Sequence, residues 1–83
     1  MRIYLQSPGA GGKIPRYVNL FLQPDLLGGW NLVKESGTQG TRGRLKTEHF
    51  PDRERAADAL LRERDQQIRR GYVVVFIEGE RQA

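Results

Sequence analysis

The sequence predicts one small α+β domain, in which a single antiparallel sheet of about five strands carries one helix on one face. Three observations lead to this fold class. Four strand-like segments precede one well-marked helical segment, and a short apolar segment follows the helix. A chain of 83 residues supports one modest core, so we expect a single domain over residues 1–83. We expect the last strand to pair with the first, because residues 73–76 are too apolar for an open edge.

The first four strands are predicted by alternating side-chain character and by the turn residues between them. The predicted strands span residues 1–6, 16–22, 30–35 and 44–50. The second strand places Tyr17, Asn19 and Phe21 on one face and three aliphatic residues on the other, so we expect it inside the sheet. Residues 37–43 form a glycine-spaced hairpin loop between the third and fourth strands.

The helix is predicted from its two ends and its apolar spacing. Asp52 is a good N-cap, and Gly71 suits the position just beyond the C-cap, where a left-handed backbone is common. The apolar stripe predicted to face the sheet consists of Ala57, Leu60, Leu61 and Ile68. Residues 72–77 then predict a buried strand that is apolar on both faces, and residues 78–83 predict a fraying polar tail.

The composition limits the classes of function. The chain has no cysteine, which excludes disulfides and thiolate metal sites, and it has one histidine. Its formal net charge is +4, and residues 1–47 hold seven basic and two acidic residues. This basic front favours a polyanionic partner, nucleic acid first, although such charge also serves solubility. No apolar run suits a secretory signal or a membrane span, so we expect a cytoplasmic protein with no membrane partner.

Residues 16–72 carry a series of motifs in unbroken order. Pro-Asp-Leu-Leu-Gly-Gly-Trp ends at Trp30, Gly-Thr-Arg-Gly-Arg ends at Arg44, Phe50 precedes the helix, and Arg-Arg-Gly-Tyr ends at Tyr72. In this order and spacing the chain resembles the WGR domain family, as a small stand-alone bacterial-type member related to the WGR domain of poly(ADP-ribose) polymerases. The resemblance implies the fold above and a binding module rather than an enzyme.

The positions that match the family's Trp-Gly-Arg motif hold Ser36, Gly37 and Thr38. In the polymerases of this family, the Trp packs on a terminal nucleotide of broken DNA and the Arg reaches a phosphate or a neighbouring domain. Stacking of a base on an aromatic ring contributes about 1–3 kcal/mol, and Ser36 offers no ring for it. The family's specific role at DNA ends is therefore not expected in this chain.

The candidate binding site is a cationic surface around the glycine hairpin. Its predicted members are Lys34, Thr41, Arg42, Arg44 and Lys46. Arg44 and Lys46 share one face of the fourth strand, and Lys34 lies on the adjoining strand. The loop glycines would let backbone amides approach a phosphate, and threonine hydroxyls could donate to it. The alternative is a solvated hairpin whose glycines only satisfy turn geometry.

Two other features are predicted to have no role in binding. Trp30 follows two glycines and could offer a stacking surface, but a strand tryptophan is more often a core residue, and we expect it in the core. Residues 9–13 superficially resemble a phosphate-binding loop. The Walker pattern fails, because it needs glycine where Ser7 stands and serine or threonine where Ile14 stands.

The sequence predicts no catalytic function. His49 lies near Glu48, Asp52 and Glu54, but a general acid–base pair needs groups that converge on a cleft. Glu48 and His49 point to opposite faces of one strand, and Asp52 is better used as a helix cap. We therefore expect no enzyme activity, no cofactor and no metal site.

Two functions from different classes remain. The first is a nucleic-acid-binding module, with DNA favoured, that contacts backbone phosphates at the basic hairpin. The alternative is a protein-interaction or self-assembly module, either acting in trans with a larger protein or forming a homodimer. The altered motif at residues 36–39 favours the alternative slightly, and the basic hairpin favours the first. A third option is a protein that binds poly(ADP-ribose) or a nucleotide, and only the expected affinity of the hairpin for phosphate supports it.

Overall fold

A computed structural model describes residues 1–9 and 11–79 and confirms the predicted fold class. Its elements are β1 (Arg2–Ser7), β2 (Arg16–Pro24), β3 (Trp30–Thr38), β4 (Arg44–Phe50), α1 (Arg53–Arg69) and β5 (Val73–Glu78). The strands form one antiparallel sheet in the order β4-β3-β2-β1-β5, so β5 pairs with β1 as predicted. The fraying tail was predicted from Glu78 onward, but Glu78 is the last residue of β5, and the part from position 80 onward lies outside the described residues. No helix in the described part of the chain has the length and apolar character needed to cross a membrane.

One face of the sheet, which we call the helix side, packs against α1 because the apolar residues of β1, β2 and β3 alternate onto it. The buried cluster comprises Ile3, Leu5, Val18, Leu20, Leu22, Leu32, Ala56, Ala59, Leu60 and Tyr72. Leu5, Leu20 and Leu60 are fully buried. α1 lies chiefly over β2 and β3, so the centre of the core is there.

The ends of α1 follow the prediction. The side chain of Asp52 accepts a hydrogen bond from the backbone N–H of Arg55 at 2.8 Å, which satisfies one free donor of the first turn. Arg70 is the C-cap, and Gly71 beyond it has a φ of 98°, a backbone conformation that favours glycine.

The helix stripe that faces the sheet differs from the predicted one. Ile68 is 45% exposed, and Gln67 is buried in its place. The buried stripe passes through Ala56, Leu60 and Gln67, so the helix is rotated by about one residue from the orientation that the apolar pattern predicts. Burial of Gln67 is tolerated because its amide donates to Glu63 Oε2 at 2.7 Å.

The prediction that the last strand is buried is wrong. β5 is an edge strand, with β1 on one side and no neighbouring strand on the other among the described residues. Val73, Val75, Phe76 and Ile77 are each between 50% and 60% exposed. The physical reason is the strand order, because β5 is the strand farthest from β2 and β3, over which α1 chiefly lies.

The other face of the sheet, the open side, has no helix and is covered by aromatic side chains packed on each other. The rings of Tyr4 and Tyr17 are stacked with centroids 5.9 Å apart, and the guanidinium of Arg2 lies 4.8 Å from the centre of the Phe21 ring. This arrangement confirms the predicted facing of Tyr17, Asn19 and Phe21.

Candidate nucleic-acid interface

A tight turn at Thr38 to Thr41 closes the β3–β4 hairpin. The backbone N–H of Thr41 donates to the Thr38 carbonyl at 3.1 Å, and the Thr41 hydroxyl donates to the same oxygen at 2.7 Å. Gly40 has a φ of 83° at the third position of the turn, where a type II turn requires glycine. Both donors of Thr41 are therefore used inside the turn, and its hydroxyl is not directed at a ligand.

Gln39 fixes this turn to the rest of the sheet. Its backbone N–H donates to the Pro15 carbonyl at 3.0 Å, and its side-chain amide donates to Tyr4 Oη at 2.7 Å. The turn is thus anchored to β1 and to the segment before β2, so the residues that flank it have defined positions.

The glycines at 37 and 43 make room for Tyr17. A Cβ added at Gly43 would overlap Tyr17 Oη, and one added at Gly37 would lie 3.1 Å from the Gly43 Cα. Tyr17 Oη donates to Glu35 Oε2 at 3.3 Å, and partial burial together with this carboxylate raises the pKa of Tyr17. Two of the three hairpin glycines therefore serve packing on the open side.

The helix side of the hairpin carries a shallow, open depression of about 480 Å³, which we call the arginine depression. Its lining consists of Arg16, Ser36, Gly37, Thr38, Thr41, Arg42, Gly43 and Arg44. The strand register assembles it, because Arg16 lies opposite Thr38 and Arg44 lies opposite Ser36. The residues that match the family motif thus form the floor, and three arginines surround them.

The charges of the arginine depression are not neutralised within the described residues. No carboxylate belongs to its lining, and none of Arg16, Arg42 and Arg44 forms an ion pair with another described residue. All three side chains are exposed. Guanidinium groups in this state attract anions and can form paired hydrogen bonds to phosphate oxygens.

The structure separates the two predicted lysines from this depression. Lys34 faces α1, and its ammonium lies 3.0 Å from Glu63 Oε2, so its charge is engaged. Lys46 lies directly opposite Lys34 in the β3–β4 ladder and is exposed. Of the five predicted binding residues, Thr41, Arg42 and Arg44 come together, while Lys34 and Lys46 lie further along the strands.

Glu63 has a shifted pKa in this second cluster. Burial alone would raise it, but hydrogen bonds from Gln67 and Lys34 and the charges of Lys34 and Lys46 outweigh that effect and hold the pKa of Glu63 below its ordinary value. Glu63 is therefore ionised at neutral pH, and Lys34 is a structural residue between β3 and α1.

Arg16 is the site residue that the sequence prediction missed. It is far from the hairpin in sequence and reaches it only through the pairing of β2 with β3. The available signal was the hairpin register, because an antiparallel β2–β3 pair of full length brings the first residue of β2 beside the last residues of β3.

Trp30 and His49 lie at the opposite end of β3 and β4. Trp30 is half-buried and packs against the core, opposite Phe50 in the ladder, and the Arg53 guanidinium lies 5.5 Å from its ring centre. The prediction of a core residue is therefore met only in part, because Trp30 packs against the buried cluster from a half-buried position. Within the described residues, no three potential ligands among His, Asp and Glu group as a metal site.

His49 contacts neither of the helix carboxylates suggested by the sequence. Its Nδ1 lies 3.2 Å from Asp25 Oδ2 and 3.1 Å from Asn31 Oδ1. The backbone N–H of Leu27 donates to Asp25 Oδ1 and, with Asn31 and His49, holds the pKa of Asp25 below its ordinary value. These contacts organise the β2–β3 turn.

The fold and this surface define a small α+β domain with a cation-lined depression at one corner of its sheet. Comparison of the chain with protein-family models, curated proteins and solved structures finds no match. The resemblance to the WGR family therefore depends on the sequence motifs alone.

Proposed function

We propose that the chain is a WGR-like binding module that holds nucleic acid, with DNA favoured, by its backbone phosphates. The observation that carries this proposal is the arginine depression, where Arg16, Arg42 and Arg44 surround a polar floor without a carboxylate. The proposal includes a cytoplasmic location and involves no catalytic step and no cofactor.

Phosphate contact without base readout is the mode that the depression favours. Its lining has no aromatic ring on which a base could stack, and its floor of Ser36, Gly37 and Thr38 is small and polar. Arginines contribute affinity through charge and paired hydrogen bonds, which carry no sequence information. We therefore expect similar affinity for different sequences of equal length.

The number of arginines gives a quantitative expectation for salt dependence. Three phosphate contacts on duplex DNA predict that the logarithm of the association constant falls with the logarithm of salt concentration at a slope of about −2.7. Lys46, exposed two residues after Arg44 on β4, would steepen the slope to about −3.6 if it makes a fourth contact.

Fluorescence anisotropy tests the proposal with labelled single-stranded, blunt duplex and 5′-phosphorylated nicked DNA at two salt concentrations. The double variant Arg42→Glu/Arg44→Glu removes two contacts and introduces two repulsive charges, so we expect a loss of affinity of at least about a hundredfold. The matched control is Arg62→Glu/Arg69→Glu on α1, which has the same change in net charge away from the depression.

Two results would contradict the proposal. The first is no binding of any DNA at low salt, and the second is an equal loss in the control, which would mean that only net charge matters. Circular dichroism spectra of both double variants, compared with that of the wild type, show whether a loss of binding is caused by unfolding. Competition with poly(ADP-ribose) in the same assay separates that phosphate-rich ligand from DNA.

A second candidate function is a protein-interaction or self-assembly module. The observation that favours it is the exposed apolar edge of β5, which offers nothing to a polyanion. It needs a different surface from the arginine depression, so one chain can have both functions. A larger protein bound in trans is the form of this candidate that remains if DNA binding is absent and the chain alone stays monomeric.

A further inference from the structure

The outer edge of β5 carries only part of the protection that natural edge strands usually have. Such edges are shielded by charged residues, by proline, by a β-bulge or by a covering loop, and among the described residues β5 has a register shift at Val75 but neither proline nor a covering element. β5 has one charge, Glu78 at its end, and four of its side chains are half-exposed and apolar: Val73, Val75, Phe76 and Ile77. The opposite edge, β4, alternates Arg44, Lys46 and Glu48 with other exposed residues and is therefore shielded.

We propose that β5 pairs in antiparallel fashion with β5 of a second copy of this chain, which joins two five-stranded sheets into one of ten strands. The two-fold axis lies between Val75 and Phe76. The pairing places Val73 opposite Glu78 of the second copy and Val74 opposite its Ile77. Backbone hydrogen bonds then form along an edge that has no partner strand among residues 1–9 and 11–79.

The side-chain directions of β5 suit this symmetry. Val74 and Ile77 lie on the helix side, opposite Leu5 and Ile3 of β1, while Val73 and Glu78 lie on the open side, opposite Gln6 and Arg2. The register shift leaves Val75 as an extra residue without a partner on β1, so residues 73, 74, 77 and 78 follow the same order of faces from either end of the strand. In the pairs of Val73 with Glu78 and of Val74 with Ile77, the two residues therefore face the same side, as antiparallel pairing requires.

The charges favour a second copy over a charged partner. Glu78 is the only charge of β5, and it lies 3.9 Å from Arg2 of the same chain. In the paired sheet the two Glu78 residues are about 14 Å apart along the strands, because residues 73–78 span the four steps of β1 from Arg2 to Gln6, and this is more than the screening length of about 8 Å in physiological salt. Pairing of β5 with β5 of a second copy therefore brings no like charges opposite each other. A polyanion or a charged peptide on the same edge would place its charges against valine side chains.

Analytical ultracentrifugation of the wild-type chain, Val75→Lys and Leu45→Lys tests this pairing. Leu45 is the matched control, since it is 68% exposed on the other edge strand, where we expect no partner. We expect a concentration-dependent dimer with a micromolar dissociation constant for the wild type and for Leu45→Lys, because an edge of six residues is a small interface. Val75→Lys should weaken the dimer at least tenfold.

A wild-type chain that stays monomeric up to millimolar concentration would overturn the proposal and leave a strand of another protein as the occupant of the edge. A dimer that Val75→Lys leaves unchanged would also overturn it, because the contact would then lie elsewhere. Melting curves of both lysine variants show whether each is folded.

Cysteine crosslinking tests the register independently, since the described chain has no cysteine of its own. Val73→Cys/Glu78→Cys places two thiols about 14 Å apart within one chain, too far for a disulfide, but opposite each other between two copies. Mild oxidation should give a covalent dimer from the double variant and none from Val73→Cys alone. Equal crosslinking of the single variant, or none of the double, would contradict the register.

Discussion

The two edge strands of the sheet, β4 and β5, differ in the kind of side chain that they expose to solvent. Every residue of β4 except Phe50 is exposed, and most of these side chains are charged or polar. β5 is almost as exposed, but with one exception its side chains are apolar. Equal exposure therefore has different consequences for the two strands. The polar side chains of β4 are solvated by water, and this strand begins at the arginine depression. The apolar side chains of β5 leave an edge that can pair with another strand.

The two edges are also attached to the core at different points. β4 is anchored at its last residue, where Phe50 lies opposite Trp30 and both pack against the core. β5 is anchored by the buried Tyr72, which directly precedes it, and by the half-buried Val74 within it. Three substitutions test how the sheet is held together, and their expected effects on stability decrease from Trp30→Ala through Gly43→Ala to Glu63→Gln.

Trp30→Ala should have the largest effect on stability, because it removes the anchor of the β4 edge. Loss of a buried tryptophan costs about 3–5 kcal/mol, and we expect about 3 kcal/mol here because Trp30 is half-buried. Thermal and urea unfolding measure the loss, with Trp30→Phe as the control that keeps an aromatic ring. An unchanged melting temperature together with lost DNA binding would show that Trp30 is a ligand contact instead.

Gly43→Ala should have an intermediate effect, since the added methyl group overlaps Tyr17 Oη. Crowding of this kind costs about 1–3 kcal/mol when a neighbour must move. The matched control is Gly79→Ala just beyond β5, where nothing lies within 4 Å, and we expect almost no change there. Near-ultraviolet circular dichroism should report the displaced Tyr17 only in the first variant. Equal melting temperatures for both variants would contradict the close packing of the hairpin.

The pairing of Lys34 with Glu63 should give the smallest effect, visible as a pH dependence. The pKa of Glu63 is lower in the folded chain than its ordinary value of 4.5, so the pair stabilises the fold above that pH. The stability is lost as the pH falls below about 4.5 through the folded pKa. We expect a contribution of up to about 1 kcal/mol.

Urea unfolding at pH 7 and at pH 3 measures this contribution in the wild type and in Glu63→Gln. The wild type should lose more stability than the variant between the two pH values. An identical loss in both chains would mean that Glu63 is not the group responsible.

Local features of the fold were predictable from the sequence because neighbouring residues determine them. Asp52 and Gly71 mark the ends of α1, and the alternation in β2 assigns its two faces. The exposure of β5 was not predictable in this way. A run such as Val73 to Ile77 suits a buried strand, and only the order of strands and the position of α1 leave it at an edge.

The same distinction applies to the candidate site. Arg42 and Arg44 could be predicted because they belong to one hairpin, whose glycine spacing is visible in the sequence. Arg16 joins them through the pairing of β2 with β3, whereas Lys34 forms an ion pair with Glu63 on α1 and lies outside the depression. Both are contacts between residues distant in sequence, which neither spacing nor composition encodes.

The arginine depression lies at the corner of the sheet farthest from β5, and this position determines how a β5-paired dimer could bind DNA. In a sheet of ten strands the two β3–β4 hairpins would be eight strand spacings apart, or about 38 Å. The natural twist of about 20° per strand rotates one hairpin by roughly 160° relative to the other. The two depressions would then open in nearly opposite directions, so the pair would bridge two separate DNA segments instead of clamping one.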